Sequence, residues 1–290
     1  MYSFVPSFKN LTKNNGLLAP ELRGINQAST FTGFCGHHDN SVFAPVESIE
    51  FTGTPQQCFL LAYRALAREC YTKNSLSSTM NLIKTSDKGR KIDEQQAIQG
   101  FAKLFGEGVD AGVEDNQLHK DLYDTLLLNQ DFSSVRSFLI FFRDPPEIMC
   151  SGCLFPVEDF EGEQLQNLLD LNTVAKMISF SSFWTGSCGA VVFTWLGDSD
   201  SVCIPFIASL ETKSDAEISN CLTRFFFEVC ENIHLKPEWW EGLDAGRQGA
   251  LIRRMSNSAN PFQLQKRNSL KDDGLKYVNW KVQSRSRIGF

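Results

Sequence analysis

The chain lacks any hydrophobic run long enough to cross a membrane. No window approaches the roughly 18 consecutive apolar residues of a candidate transmembrane helix. The N-terminus, Met-Tyr-Ser-Phe-Val-Pro-Ser-Phe-Lys, also lacks the basic stretch followed by an apolar stretch of a secretory signal. We therefore expect a cytoplasmic protein that has no membrane partner and stays in the compartment where it is made.

Glycine-rich fingerprints for phosphate or dinucleotide binding are also missing. Without such a loop, nothing in the sequence argues for a nucleotide-driven mechanism. Histidine is scarce, and the four residues are His37, His38, His119 and His234. A metal phosphohydrolase needs more histidines and an aspartate placed on helices, so the dipeptide His38-Asp39 does not define one by itself.

The cysteine count also does not fit a disulfide framework, in which every cysteine is paired. The nine cysteines are odd in number, and several lie inside apolar helix or strand patterns. This usage predicts the reduced thiols of an intracellular protein and is compatible with a metal site. The chain has 290 residues, of which 42 % are hydrophobic and 24 are Phe. It can therefore bury a sizeable core.

Charge is distributed unevenly along the chain. The formal net charge is −6, yet residues 247–290 contain ten Lys or Arg and only two Asp. A basic tail on an acidic body predicts either an arm for nucleic acid or a tail that packs against that body. The segment has neither a dense basic cluster nor the interleaved aromatic residues of a stacking platform.

Hydrophobic periodicity predicts an α+β protein in which a helical N-terminal layer packs on an antiparallel sheet of about five strands, with C-terminal helices. Residues 1–53 are predicted to be mostly loop, with one short strand at residues 2–5. Thr54 and Gln57 have the spacing of a capping box before a helix. The helical layer, residues 54–130, is predicted to contain helices at 55–72, 93–105 and 114–129, separated by polar residues 74–90 and by Gly106 and Gly108.

Beyond Asp131 the pattern changes to that of strands. We predict strands at 135–142, 148–155, 177–184, 190–196 and 202–210. Short connections favour an antiparallel meander, with a helix at 160–171 inserted after the second strand. A capping box at Ser214 and Glu217 opens a long helix that includes Ile233, and another helix runs from Pro237 to about Met255. Residues 1–256 are thus predicted to form one domain, in which 131–256 hold the sheet and helices, followed by a loosely ordered basic C-terminal tail, 257–290.

The residues with the clearest chemistry lie in the loop Ser29–Asn40. Cys35 and His38 have the C-x2-H spacing with which a tight turn offers a thiolate and an imidazole to one Zn²⁺. A structural zinc ion needs four ligands, and Cys150 and Cys153 form the only C-x2-C pair in the chain. One hypothesis is therefore a joint site of Cys35, His38, Cys150 and Cys153. The alternative is that the cysteines are small apolar groups and His38 is a surface histidine.

Two neighbours of this pair are candidates for catalysis beside a metal. His37 is placed to act as a general base, and Asp39 to act as a further ligand or as a group that orients the histidine. Both assignments depend on a metal being bound by the loop.

Further residues accompany the loop, namely Phe43-x-Pro45-x-Glu47, Tyr63-Arg64-Ala65-Leu66 and Cys230-Glu231-Asn232 before Trp239-Trp240. Together with Gly33-Phe34-Cys35-x-x-His38-Asp39, they resemble a group of uncharacterised bacterial proteins. Longer members carry a C-x2-C or C-S-x-S-H segment before the residue that matches Tyr2. Such a segment and the C-x2-H loop would be similar to the treble-clef zinc finger of HNH nucleases.

The present sequence begins at Met1 without that upstream segment. The resemblance therefore implies one of three cases: the chain is N-terminally truncated, Cys150 and Cys153 replace the missing ligands, or no metal binds. The first expectation for function is an intracellular zinc-binding, or zinc-derived, binding or regulatory protein without a clear catalytic constellation. The alternatives are a metal-dependent, HNH-like nuclease or phosphoesterase that acts on nucleic acid, and a component of a bacterial defence or toxin system.

Overall fold

The structure is a computed structural model that describes residues 1–5, 8–28, 31, 33–170, 173–258 and 268–290. In chain order, its elements up to the second long helix are β1 (Tyr2–Ser3), α1 (Phe8–Lys13), β2 (Glu21–Leu22), α2 (Ile25–Ala28), α3 (Gly36–Val42), α4 (Ala44–Glu47), α5 (Pro55–Thr85) and α6 (Ile92–Asn129). They continue with β3 (Val135–Phe142), β4 (Ile148–Leu154), β5 (Ile178–Trp184), β6 (Gly189–Leu196), a 3₁₀ turn (Gly197–Ser199), α7 (Asp200–Glu211), α8 (Asp215–Val229), β7 (Ile233–Leu235), α9 (Pro237–Gly242), α10 (Ala245–Ser258) and β8 (Val282–Ile288).

The strands form one antiparallel sheet in the order β2-β1-β7-β4-β5-β6-β3-β8. The α+β prediction is confirmed, but the described residues contain eight strands instead of about five. The four long strands β3 to β6 lie where periodicity placed them, within one residue at each end. The additional strands are two or three residues long or, like β8, polar on both faces. Such segments carry little periodic signal.

One face of the sheet packs against helices and carries the main core. Alternate residues of the strands point to this face, for example Phe138, Ile140 and Phe142 of β3 and Phe193 of β6. Apolar residues of α7, α8 and α10 complete the core, among them Phe206, Phe225 and Leu251. Burying side chains of this size contributes about 2 kcal/mol each, so this face supplies much of the stability.

The opposite face of the sheet is covered by the segment that leads into α5. Gly53 has a φ of +75°, and a Cβ atom there would lie 2.6 Å from the Leu139 side chain. Glycine is therefore required both for the backbone conformation and for the close approach. Next to it, the Phe51 ring lies 5.0 Å from the Phe183 ring and 6.5 Å from the Phe141 ring. This segment anchors the beginning of α5 on β3 and β5.

The chain divides into two compact units, residues 1–65 with 132–290 and residues 66–131. The second unit is an antiparallel hairpin made by the later part of α5 and by α6. Within it, Cys70 Sγ lies 3.7 Å from Asn116 O and Lys73 Nζ lies 3.4 Å from Gly112 O. The predicted packing of the helical layer on the sheet stays a prediction.

Two predicted helix interruptions are wrong. Helix α5 continues through the polar residues after 74 to Thr85, and α6 continues through Gly106 and Gly108. A glycine inside a helix costs about 1 kcal/mol relative to alanine, which the helix-forming residues on both sides offset. The break that does form lies at residues 86–91, where Gly89 adopts a φ of +78°.

The predicted strand at 202–210 is wrong, because these residues belong to α7. Its buried apolar positions are spaced as on one helix face: Val202, Cys203, Phe206, Ile207 and Leu210. The run is apolar throughout, so alternation could not be distinguished from helical spacing by sequence alone. Pro205 lies on the exposed side, and the Ser201 carbonyl that loses its helical hydrogen bond belongs to an exposed residue.

The predicted helix at 160–171 is also wrong for residues 160–170. These residues form turns and one isolated bridge between Glu158 and Gln164. Asp159 Oδ1 accepts hydrogen bonds from the backbone nitrogens of Glu161 and Glu163. A side chain that bonds its own backbone in this way competes with helix formation.

Strand pairing and the C-terminal elements differ from the prediction in further ways. Strand β3 pairs with β6 and β8, so β4 is not its partner, and the predicted meander is limited to β4, β5 and β6. Pro145 and Pro146 lie in the connection between β3 and β4. Proline has no backbone N–H group, so these residues cannot donate the hydrogen bonds of a tight hairpin. Ile233 lies in β7, outside the long helix α8, and the last predicted helix is divided into α9 and α10.

The expected loose order beyond Asn257 does not hold for residues 268–290. Leu270, Tyr277 and Trp280 are buried in the main core, and β8 pairs with β3 along six positions. Apolar residues are thinly spread in this segment, which explains why its composition resembled a solvated tail. Within the described residues, no helix combines the length and the apolar character that a membrane crossing requires.

Candidate functional site

The C-x2-H loop is held by the first turn of α5. The predicted capping box is confirmed: Thr54 Oγ1 accepts a hydrogen bond from Gln57 N, and Gln57 Oε1 accepts one from Thr54 N. Gln57 Oε1 also accepts from Thr52 N at 2.9 Å and Gly53 N at 3.1 Å. Its Nε2 donates to the carbonyls of Pro45 and Glu50 at 3.0 and 2.8 Å. One buried amide therefore fixes the chain between α4 and α5.

Aromatic side chains pack the loop against α5. The Phe34 ring, next to Cys35, lies 5.1 Å from the ring of Phe43 and 6.2 Å from the ring of Tyr63. Phe43 is fully buried, and Tyr63 stacks on Phe59 in α5. Phe34 precedes Cys35 and Phe43 follows α3. The ring contacts therefore fix the loop against α5 on both sides of Cys35.

Charged groups attach α3 and α4 to the same helix. Arg64 Nη2 lies 2.6 Å from Glu47 Oε1 and 3.5 Å from Asp39 Oδ1. Arg64 thus lies within ion-pair distance of both acids, and the roles of Asp39 as ligand or orienting group and of His37 as general base stay predictions. Helix α3 begins at Gly36 with Cys35 as its N-cap residue, and Ser41 Oγ donates to His37 O.

The structure brings Cys35 and His38 together. Cys35 Sγ lies 3.2 Å from His38 Nδ1, and both residues are exposed. A tetrahedral Zn²⁺ with bonds of about 2.3 Å to sulfur and 2.0 Å to nitrogen holds two such atoms about 3.5 Å apart. The pair thus needs to open by only a few tenths of an ångström to bind one ion. His37 is exposed too, with its ring centroid 5.7 Å from that of His38.

Cys150 and Cys153 are not brought together. Both lie in β4, where residues three apart point to opposite faces of the sheet. Cys150 belongs to the main core, and burial together with the neighbouring Cys230 thiol raises its pKa well above the usual value. A buried thiol of this kind disfavours the thiolate that zinc requires. The joint site of Cys35, His38, Cys150 and Cys153 is not present in this arrangement.

The described part of the chain offers no other metal site of these residue types. No group of three or more His, Cys, Asp or Glu side chains is placed there to hold a metal ion. All nine cysteines and all four histidines belong to that part. Among the described residues, Cys35 and His38 are therefore a pair without a third His, Cys, Asp or Glu ligand.

The basic C-terminal segment is engaged by acidic residues. Arg285 Nη2 lies 2.6 Å from Asp215 Oδ1, and Arg287 Nε lies 2.9 Å from Glu211 Oε1. These ion pairs attach β8 to the end of α7 and the start of α8. They agree with the alternative in which the tail packs against an acidic body. The nucleic-acid arm stays a prediction.

Sequence reasoning missed a chain of polar side chains across β1, β7 and β4. Ser3 Oγ lies 3.0 Å from His234 Nδ1, His234 Nε2 lies 3.2 Å from Asn232 Oδ1, and Asn232 Nδ2 donates to Ser151 Oγ at 2.9 Å. Asn232 and His234 are two residues apart, the spacing of neighbours on one strand face. Ser3 and Ser151 could not be identified from sequence. Ser3 is 231 residues from His234, and Ser151 is 81 residues from Asn232. Ser3 is only 3 % exposed, so the chain of bonds is a structural link between strands.

Comparison with known proteins adds no relative. No protein-family model, no curated protein and no solved structure matches this chain. The arrangement defines an α+β protein with an eight-stranded antiparallel sheet and an exposed Cys–His pair.

Proposed function

We propose that this chain is a zinc-binding interaction module that holds the ion with Cys35 and His38. The observation that supports the proposal is the 3.2 Å separation of Cys35 Sγ and His38 Nδ1. This separation is close to the spacing of two ligands on a tetrahedral zinc ion. The loop that carries the pair is attached to α5 by Gln57 and Arg64, so little conformational entropy would be lost when the ion binds.

The coordination would be completed by a partner. A structural zinc site has four ligands, typically thiolates and imidazoles, and only two are gathered in the described part of this chain. Both Cys35 and His38 are exposed, so an ion held there is accessible to another molecule. A second copy related by a two-fold axis would offer the same pair and give a Cys₂His₂ site. In this proposal zinc controls whether two chains associate. This control is the regulatory role of the protein.

Elemental analysis of protein purified without chelator tests the proposal. We expect zinc in the wild-type protein and its loss in Cys35→Ser and in His38→Ala. Cys150→Ser and Cys153→Ser are matched controls and should retain the metal, because these residues lie on opposite faces of β4. Absence of zinc from the wild type, or loss of zinc in the Cys153→Ser control, would contradict it.

Sedimentation of the same samples tests the role of the partner. We expect the zinc-loaded protein to form a dimer with one ion for two chains, and a chelator to return it to the monomer. Zinc bound to a monomer in a one-to-one ratio would retain the metal site but exclude the second copy as its partner.

The nuclease or phosphoesterase hypothesis and the defence-system hypothesis stay predictions. The first requires divalent-metal-dependent cleavage of nucleic acid by the wild type that is lost in His38→Ala. It also requires binding that falls when Arg285 and Arg287 are substituted, and their ion pairs with Asp215 and Glu211 would then have to open.

A further inference from the structure

A small cavity lies between α8 and the segment that follows residue 269. It has a volume of about 120 Å³, and its walls include Lys213, Asn220, Arg224, Asp272 and Lys276. One water needs only about 10–15 Å³ of a cavity volume measured in this way, so the space takes several waters or one small polar molecule. The cavity belongs entirely to the unit that contains the sheet.

The floor of the cavity holds a buried cation that is only partly satisfied. Arg224 is 4 % exposed, and its Nη1 donates to Asp272 Oδ1 at 3.0 Å. Asp273 Oδ1 is the next acceptor, at 3.7 Å from the same nitrogen. Arg224 Nε is buried and has no hydrogen-bond acceptor among the described residues. Nε is enclosed by protein, so the Nη1 edge that bonds the exposed Asp272 carboxylate is the part of the guanidinium open to an oxygen ligand.

A second donor lies one helical turn before it. Asn220 Oδ1 accepts hydrogen bonds from Tyr277 N at 2.6 Å and Val278 N at 3.1 Å. These two bonds determine the orientation of the amide, since only the oxygen can accept from backbone N–H groups. The Asn220 Nδ2 group is consequently a donor on the cavity wall.

The cavity is lined by charges of both signs, three cations including Arg224 and two acids. Lys213 and Lys276 supply two positive charges at the rim, and Lys213 is paired with Glu161. The two acids are engaged or exposed: Glu217 Oε2 accepts from Ser214 in the capping box, and the Asp272 side chain is 72 % exposed. Asp272 can therefore turn towards solvent if another oxyanion takes its place.

We propose that this cavity is a binding site for a small oxyanion, either a phosphate or a short carboxylate. Arg224 and Asn220 would donate from the floor and Lys276 from the rim, in the manner of charge-assisted recognition. The Asp272 carboxylate marks the place on the guanidinium that the ligand's oxygens would take. The site is independent of the Cys35–His38 pair and of any metal.

Titration calorimetry with inorganic phosphate and, separately, with acetate tests the proposal on the 290-residue chain. We expect binding of at least one of the two to the wild type. The variant Asn220→Asp keeps the oxygen that accepts from Tyr277 and Val278, but it replaces the donor with a negative charge. It should weaken binding by about tenfold or more, which corresponds to the loss of one charge-assisted bond.

The variant Lys276→Gln keeps the test decisive if Asn220→Asp does not fold. It removes a rim charge without touching the core, and we expect it to weaken binding several-fold. Lys281→Gln, the matched control, removes the same charge outside the cavity and should bind as the wild type does. The proposal is overturned if neither phosphate nor acetate binds to the wild type. It is also overturned if Lys276→Gln binds no more weakly than Lys281→Gln.

Discussion

The guanidinium carbon of Arg64 lies 4.0 Å from the centroid of the Phe43 ring, while its Nη2 lies 2.6 Å from Glu47 Oε1. One side chain of α5 thus makes a cation–π contact with the residue between α3 and α4 and an ion pair with α4 itself. A third contact reaches Asp39 in α3 at 3.5 Å. The Cys–His pair is positioned by this attachment, because α3 begins directly after Cys35.

The first prediction concerns this contact. Arg64→Ala should lower the free energy of unfolding by about 1–2 kcal/mol, since a cation–π contact and a partly exposed ion pair each contribute up to about 1 kcal/mol. Urea denaturation measures the change. Arg143→Ala, which removes an exposed arginine from the β3–β4 connection, is the control and should change stability by less than about 0.5 kcal/mol. Equal stability of the two variants would show that Arg64 does not brace the loop.

A second prediction separates the buried amide of Gln57 from its exposed neighbour. Gln57→Leu removes an acceptor for three backbone N–H groups and a donor to two carbonyls. Unsatisfied groups of this kind cost about 1–3 kcal/mol each when buried, and several here are partly exposed. We therefore expect a loss of about 3 kcal/mol in urea denaturation. Gln56→Leu makes the same chemical change at an exposed position and should be nearly neutral.

The sequence predicted the long strands because their residues are β-branched or aromatic and are bounded by turn formers. Strand β3 is confirmed at Val135–Phe142 to the residue. The short connection between β5 and β6 is a hairpin, with Thr185 N donating to Cys188 O. Capping boxes at Thr54 and Ser214 were also identified correctly, because side-chain caps are local in sequence.

Features that depend on residues distant in sequence could not be predicted from such local patterns. Helix α7 is apolar on every side in sequence, and only the placement of α8 and the sheet determines which side is buried. Cys150 and Cys153 have the spacing of a metal-binding turn, but in a strand the same spacing sends the side chains to opposite faces. Cys35 and His38, by contrast, lie at the N-cap and in the first turn of α3, where that spacing brings them together.

A third prediction uses the different exposure of the thiols. Cys35 is exposed, whereas burial raises the pKa of Cys58 to about 12 and that of Cys221 to about 11. Because the thiolate is the reactive form, alkylation of the native protein should modify Cys35 first. Mass spectrometry after brief labelling should show one fast site that is absent in Cys35→Ser. Protection of this site by added zinc, and its return with a chelator, would agree with the proposed metal site.

The fourth prediction concerns the C-terminal strand. Deleting residues 282–290 removes β8 and the Phe290 ring, which lies 4.7 Å from the ring of the buried Trp195. It would also uncover the edge of β3, a long apolar strand that invites association between chains. We expect a loss of stability of several kcal/mol and concentration-dependent aggregation, measured by thermal unfolding and light scattering. Gln283→Ala changes an exposed residue of the same strand and should behave as the wild type.

The last prediction is a dependence on acid that arises from Asp273. Burial opposes ionisation of this carboxyl, but hydrogen bonds from Tyr277 Oη, Leu275 N and Arg254 Nη2 outweigh it and lower its pKa. A carboxyl with a lower pKa in the folded state binds fewer protons there than in the unfolded state. Its contribution to stability is complete above the unfolded value of about 3.9 and is lost as the pH falls from there through the folded value.

The free energy of unfolding measured in urea between pH 6 and pH 3 tests the sign. The wild type should lose stability towards the acidic end, and Asp273→Asn should show a smaller dependence on pH as well as lower stability at pH 6. Asp144→Asn alters an exposed aspartate in the β3–β4 connection and should keep the wild-type slope. An unchanged slope in Asp273→Asn would contradict this prediction. It would mean that the hydrogen bonds from Tyr277, Leu275 and Arg254 do not hold the carboxylate in solution and that this carboxyl does not cause the acid sensitivity.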